Sequence, residues 1–538
     1  MRKLLQLSLL ILVAYTCSAQ DSLRGSITPE RAWWDVVKYD ISVEPEYDLK
    51  TIAGINIITF KTVAAGKRMQ IDLQEPMEIN EVSWPTQEGR GQKIIFQRRG
   101  NIYYLDFAEP LAKNKIYSIE IKFSGFPHEA VTPPWDGGWI WRKDKYGNPW
   151  MSVACQGLGA SVWYPCKDHQ SDEPDSASLS IIVPDSLVAI GNGRLRNKTD
   201  AGNHKTKYVW AVTNPINNYN IIPYIGKYVN WSEKFDGEKG KLDVNYWVLQ
   251  ENEVKARKQF IQVPPMLKCF EHWFGPYPFY EDGYQLVESP HVGMEHQSAI
   301  AYGNKFANGY TGTDRSGTGW GSKWDYIIIH ESGHEWFGNN ITTDEIADMW
   351  VHEAFTTYSE TLYTECQWGK DAGNAYNIGL RKLIKNDKPV IGKYGLNIEG
   401  STDMYEKGSA LVHIIRQIMN DDKKFRNMLR GMNEKFCHKT VTGAEVERYI
   451  IEISGADLSK VFEQYLASTL VPVFEYKIDK GTMSYRWSNC VAGFNMPLKI
   501  ITTDKDVWLN PTEIWQTMPV HSNKIIVDMN FYVVSRKM

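Results

Sequence analysis

His330-Glu331-Ser332-Gly333-His334, with eighteen residues between His334 and Glu353, decides the reading of this chain. Residues four apart on a helix stand one turn above each other, so His330 and His334 present both imidazoles to one cation. Glu331 lies beside them, where a carboxylate takes a proton from metal-activated water without being a ligand. A catalytic zinc needs a third protein ligand and one open position, and Glu353 supplies the ligand. The expectation is one zinc ion per chain. A surface helix with solvated histidines is the bland alternative, and the carboxylate at this offset on a second helical stretch speaks against it.

Working outward, Ser322 with Asp325 three residues on resembles a capping box, and Tyr326 to Ile329 forms an apolar run into the histidines. Gly338-Asn339-Asn340 is expected to end that helix. A second helix is expected from Met349 to Gln367, stopping before Gly369, with Glu353 one turn inside its start. A short loop from Asn340 to Asp348 then folds Glu353 back against the histidines.

Four separated motifs stand in one order: V-G-M-E-H (292–296), H-E-S-G-H-E-W-F-G-N (330–339), W-V-H-E-A-F (350–355) and Y-E-K-G (405–408). In these the chain resembles the gluzincin aminopeptidases related to membrane alanyl aminopeptidase. The resemblance implies that Glu295 binds the free α-amino group of a peptide while the backbone at Gly293 and Met294 holds it as an added strand. It implies that the Tyr405 hydroxyl supports the oxyanion beside the metal. A weaker match, Cys155-Gln156 with Pro165-Cys166-Lys167-Asp168, makes Gln156 a further contact near the substrate amine. The chain departs from the family at His296 and His352, where asparagine is usual. His296 alters the amine pocket, so preference for the first residue is not transferable. His352, next to a ligand on a helix, points elsewhere and reads as a packed histidine rather than a ligand. Glu360, seven residues beyond Glu353 on the same face, fits a partner orienting a ligand as well as it fits a solvated carboxylate.

The implied function is that of a zinc-dependent aminopeptidase cleaving the N-terminal residue from peptides. The alternatives are another zinc hydrolase, either endopeptidase or epoxide hydrolase, and a catalytically silent peptide-binding protein. A purely structural zinc is disfavoured, because a closed site wants four protein ligands.

The 538 residues, 43% hydrophobic and 23% charged, describe a globular chain of several domains, and a net charge of −4 gives no hint of a nucleic-acid partner. Arg2 and Lys3, an apolar run from Leu4 to Ala14, and Cys17-Ser18-Ala19 before Gln20 read as a signal peptide over residues 1–19. That run is too short to span a membrane, and Tyr15 and Thr16 argue against lipidation of Cys17. Export to a periplasm or the medium is expected, with no transmembrane span in the mature chain. The remaining six cysteines lack CxxC spacing. Cys155 and Cys166 are the pair placed to bridge, with isolated buried thiols the commoner outcome.

Short alternating runs such as Ile55 to Phe60, Lys115 to Phe123 and Ser178 to Val183 argue a β domain over 20–229. Within it the tryptophans 135, 139, 141 and 150 read as hairpin packing or cleft rim rather than a sugar platform. Helical patterns are expected from Asn230, through Val254 to Phe274, the zinc helices and Lys407 to Met419, so that 230–470 forms the catalytic domain. Strand patterns over 471–538 suggest a small β-sandwich. The expected fold is multidomain α+β, and the resemblance makes its parts a saddle-like N-terminal β domain, a thermolysin-like zinc domain and that sandwich. It also implies a form without the large C-terminal helical domain, and hence a more open cleft. Oligomeric state is not legible.

Overall fold

A computed structural model of the chain describes residues 25–85, 91–155, 157–502, 505–521 and 524–538. The signal-like segment at 1–19 and Gln156 lie outside the described residues.

The N-terminal part is a seven-stranded sheet flanked by smaller ones. Its strands run in the order Arg194–Gly202, Lys205–Val212, Ser176–Pro184, Trp34–Glu46, Thr51–Thr62, Ile116–Gly125 and Glu78–Ser83. All neighbours are antiparallel except Trp34–Glu46 with Ser176–Pro184. Tyr39, Ile41 and Val43 alternate inward along one strand, and Ile119, Ile121 and Phe123 do so along another. The tryptophan-rich stretch is a hairpin, Gly138–Lys143 with Pro149–Ala154, whose Trp139 and Trp141 pack into this core. Trp135 is 67% exposed, so only part of the cluster is packing.

The expectation of helices from Asn230 fails at its start. Tyr228–Gly237 and Gly240–Leu249 are antiparallel strands, the first two in a sheet that continues through Tyr284–Glu288 and Ile300–Tyr302 to Gly293–Met294. Their outward residues are polar and half their side chains face water, which leaves a weak apolar pattern. Helices follow: Glu253–Gln259 and Val263–Phe274, then the zinc pair Tyr326–Gly333 and Trp350–Trp368, then Lys370–Leu380 and Glu406–Met419.

The bridged cysteines are Cys269 and Cys366, which tie Val263–Phe274 to the far end of the helix that carries Glu353. Cys155 and Cys166 are buried free thiols. The two helices meet because Cys269, Phe270 and Leu362 share one core, a tertiary fact that cysteine spacing does not carry.

The C-terminal part is two small sheets, one of four strands and one of three. It is fastened to the helices rather than tethered. Arg381 donates to the carbonyls of Met529, Asn530 and Phe531, Tyr465 donates to the Tyr532 carbonyl at 2.7 Å, and Trp487 and Phe494 merge with the helical core. No described helix is long and apolar enough to cross a membrane.

Candidate metal centre

The histidine helix begins at Asp325, not at the Ser322 box. The Asp325 carboxylate accepts from the Ile327 and Ile328 N–H groups, while Ser322 turns back to the Gly319 carbonyl. Asp325 wins because it is fully buried and also held by Gln259, Tyr302 and Asn304. A cap of this kind is worth about 1 kcal/mol. Regular helix stops at Gly333, and the chain turns at Phe337 and Gly338, which has φ 125°. A Cβ at Gly338 would lie 3.2 Å from His334 Nδ1, so glycine is required by both φ and space. The turn points the Phe337 carbonyl back to His334 Nδ1 at 2.9 Å, with Thr356 Oγ1 at 3.1 Å.

His330 Nδ1 is fixed by Glu360 at 2.7 Å, and Tyr376 donates to the other Glu360 oxygen at 2.6 Å. Of the two readings of Glu360, the orienting one therefore describes the structure. With both Nδ1 atoms engaged, both Nε2 atoms face Glu353 Oε2, at 3.6 Å from His330 and 3.4 Å from His334. That oxygen is buried and has no hydrogen-bond partner among the described residues. Burial opposes charge on all three groups, yet Glu353 and Glu360 lift His330 to about 10, Glu353 lifts His334 to about 9, and the two imidazoles hold Glu353 well below the usual carboxylate range. The surroundings favour extra positive charge among these three atoms, which is what a divalent cation supplies. Donor set, spacing and orphaned oxygen together fit zinc. Glu360→Gln is expected to weaken zinc binding about 10- to 100-fold, read by competition with a chromogenic chelator. Unchanged affinity would remove Glu360 from the centre.

His352 is no ligand: its Nε2 accepts from the Thr343 N–H at 2.9 Å. Glu331 projects beside the triad, 8% exposed, its carboxyl pushed up to about 7 by burial against the opposing pull of His330 and His334. Gly293 crosses directly over it, and a Cβ there would stand 2.9 Å from Glu331 Oε1 and 2.8 Å from Ile327. Gly293 and Met294 form the edge strand of the five-stranded sheet, leaving one side free for another strand. Glu295 follows immediately. Its carboxylate accepts from Tyr219 at 3.1 Å and its backbone carbonyl from Asn339 at 2.7 Å. Ligand-type atoms of Glu295, Glu331 and His334 lie within 4.8 Å of one another, so Glu295 abuts the metal site. Tyr405 reaches the triad from just ahead of the helix Glu406–Met419, its hydroxyl 3.0 Å from Glu353 Oε1 and its ring stacked on His330. His296, next to Glu295, is fully buried and bonded to Tyr224 through Nδ1. Tyr219, Asn339 and Glu399 also belong to the site. Asn339 stands inside the H-E-W-F-G-N motif, but Tyr219, in the short helical turn Asn218–Asn220, and Glu399, in a loop, have no local signature.

Comparison with known proteins bears on the same regions. Residues 36–219 match the peptidase M1 N-terminal domain and residues 262–465 the peptidase family M1 domain. The chain is 24% identical over 347 residues to leukotriene A-4 hydrolase of Xenopus laevis, covering 60% of this chain and 53% of that protein. It is 21% identical over 475 residues to probable aminopeptidase 1 of Sulfurisphaera tokodaii, covering 84% and 55%. The chain thus spans about half the length of these curated relatives. A crystal structure of an M1 zinc metallopeptidase from Deinococcus radiodurans superposes with TM-score 0.67 at 18% identity, covering 83% of this chain and 97% of that one. A mutant of the Deinococcus enzyme bound to a Tyr-Ser-Ala substrate gives TM-score 0.67 at 19% identity, covering 82% and 97%.

Proposed function

We propose that this chain, which belongs to the peptidase M1 family, is a zinc-dependent aminopeptidase that removes the first residue from peptides with a free amino terminus. The observation that carries the reading is Glu295: a buried carboxylate that the metal triad does not need stands against it at the end of an open sheet edge. An ammonium group anchored there places the first peptide bond, and no later one, beside Glu331.

His330, His334 and Glu353 would hold the zinc, which would supply Lewis-acid polarisation of the scissile carbonyl and a more acidic attacking water. Glu331, whose carboxyl is raised by burial, takes the water's proton and returns it to the leaving amine. Tyr405 is kept a neutral donor, because burial and then Glu353 and Glu399 push its phenol well above the usual range. It aims that proton at the developing oxyanion. The Gly293–Met294 edge aligns the peptide backbone, and Gln156 is assigned to the amine as well on the family-like Cys155-Gln156 stretch of the sequence.

Export belongs to the same proposal. The signal-like pattern at 1–19 and the Cys269–Cys366 bridge support it, since disulfides persist in oxidising compartments.

The test is a short peptide and its N-acetylated twin, digested by zinc-loaded protein and followed by mass spectrometry. The free peptide is expected to lose residues from its N-terminus, and acetylation to lower kcat/KM by at least about 100-fold, as loss of a buried charge contact does. Equal cleavage of both, or cuts at internal bonds, would favour an endopeptidase.

A further inference from the structure

Two tyrosine rings stack on His330. One is Tyr405; the other is Tyr326, on the histidine helix itself, with centroids 5.0 Å apart and planes 15° from parallel. The Tyr326 hydroxyl also stands 3.2 Å from His330 Nδ1, beside the bond from that atom to Glu360. Arg315 Nη1 donates to this hydroxyl at 2.6 Å, and Nη2 of the same guanidinium pairs with Glu406, the residue after Tyr405. The contacts close a ring: Arg315, Tyr326, His330, Tyr405, Glu406 and back to Arg315. We propose that Arg315 is a positioning residue that holds His330 and Tyr405 in register with each other. The role of that register in turnover rests on the aminopeptidase reading.

His330 and Tyr405 come from different elements. His330 stands on Tyr326–Gly333, and Tyr405 stands just ahead of Glu406–Met419, a helix whose start has no capping side chain of its own. An oxyanion donor tolerates little play, since a displacement of about 1 Å can cost about 100-fold in rate. Arginine suits the task because its planar fork presents several donors in fixed geometry, whereas lysine has one compact head. The guanidinium also lies over the Tyr326 ring, 5.1 Å from its centroid, so one group fixes both hydroxyl and ring. The loop that carries Arg315 is itself held. The Asp314 carboxylate accepts from the Ser316 N–H at 2.9 Å and the Gly319 N–H at 2.6 Å, and the Asn304 side chain accepts from the Thr311 N–H at 2.7 Å.

Neutralising Glu406, whose side chain is 7% exposed, would be reason enough for a cation here if the pair were only structural. A lysine would do that as well; reaching the Tyr326 hydroxyl at the same time takes the fork. Tyr326 and Glu406 belong to neither the amine anchor nor the edge strand, so a loss of register should spare substrate binding and fall on kcat.

The experiment uses zinc-loaded full-length protein and an alanyl-coumarin amide. Arg315→Ala is expected to lower kcat roughly 10- to 100-fold with KM nearly unchanged. Arg315→Lys keeps the charge but not the fork, so its kcat is expected to stay about tenfold low. Methylguanidinium added to Arg315→Ala should restore part of the lost kcat, and methylammonium should not. A readout independent of turnover is the visible spectrum of cobalt-substituted protein, which should differ between wild type and Arg315→Ala because the His330 ring is no longer held. Should Arg315→Ala not fold, Arg315→Lys and Glu406→Gln carry the same measurements, with a smaller loss expected for glutamine because its oxygen still accepts. Variants with wild-type kcat and an unchanged cobalt spectrum would overturn the proposal, as would a loss confined to Tm or KM that methylguanidinium does not repair. Wild-type protein that binds the metal yet cleaves no aminoacyl amide would overturn the aminopeptidase reading instead, and the cobalt spectra would still decide whether Arg315 holds His330.

Discussion

Glu331→Gln is expected to lower kcat by about 10³- to 10⁴-fold while zinc content stays at one per chain. That loss corresponds to about 4 to 5.5 kcal/mol of barrier. The size follows from where the residue stands. Glu331 bonds to none of the ligands: the two Nδ1 atoms are held by Glu360 and by the Phe337 carbonyl, and Glu353 faces both Nε2 atoms whatever occupies position 331. Glutamine fills the same volume beneath Gly293, where a Cβ would already be too close to the side chain, so the edge strand stays in place. What disappears is the carboxylate placed to exchange a proton beside the triad. Its carboxyl sits at about 7 because burial and the neighbouring acids Glu295 and Glu353 oppose the pull of the two histidines. Metal analysis and steady-state kinetics on one preparation decide the matter. A variant that retains zinc and more than a tenth of the wild-type kcat would show that another group moves the proton.

The parts of the site legible in the amino-acid sequence are those governed by helix geometry. The i, i+4 histidines, Glu353 in the first turn of the next helix and Glu360 two turns on share a face because 3.6 residues make a turn, and each lands where that arithmetic puts it. His352 is excluded by the same arithmetic, since a step of one residue rotates it away toward Thr343. Local patterns mislead where tertiary context decides. Ser322 has the right spacing for a cap, but the buried Asp325 has Gln259, Tyr302 and Asn304 to hold it. The strands Tyr228–Gly237 and Gly240–Leu249 carry too many polar residues to announce themselves. The Cys269–Cys366 pair, 97 residues apart, depends on two helices meeting in a core. Tyr219 reaches the site from the short helical turn Asn218–Asn220 and Glu399 from a loop, and nothing in either segment's own sequence records that convergence. The local chemistry is therefore readable from residue spacing, and the walls that select the substrate are not.

Tyr405→Phe is expected to lower kcat by about 10²- to 10³-fold, or roughly 2.7 to 4 kcal/mol, with little change in KM. The aromatic ring keeps its stacking on His330, 6.0 Å between centroids, and the helix that starts at Glu406 is untouched, so fold and zinc site survive. Only the hydroxyl is lost. In the resting site that hydroxyl rests on Glu353 Oε1 at 3.0 Å, an acceptor already committed to holding positive charge, so the bond is easily exchanged for a stronger one to an oxyanion. The phenol cannot itself ionise there, since burial together with Glu353 and Glu399 keeps its proton on. It therefore contributes as a donor to a charge that exists only in the transition state, and binding of the ground state should be indifferent to it. A merely structural tyrosine would behave otherwise: its removal would raise KM or lower zinc occupancy and Tm. A kcat within about tenfold of wild type, or a loss that appears in KM alone, would take Tyr405 out of the reaction and leave the oxyanion to the metal site.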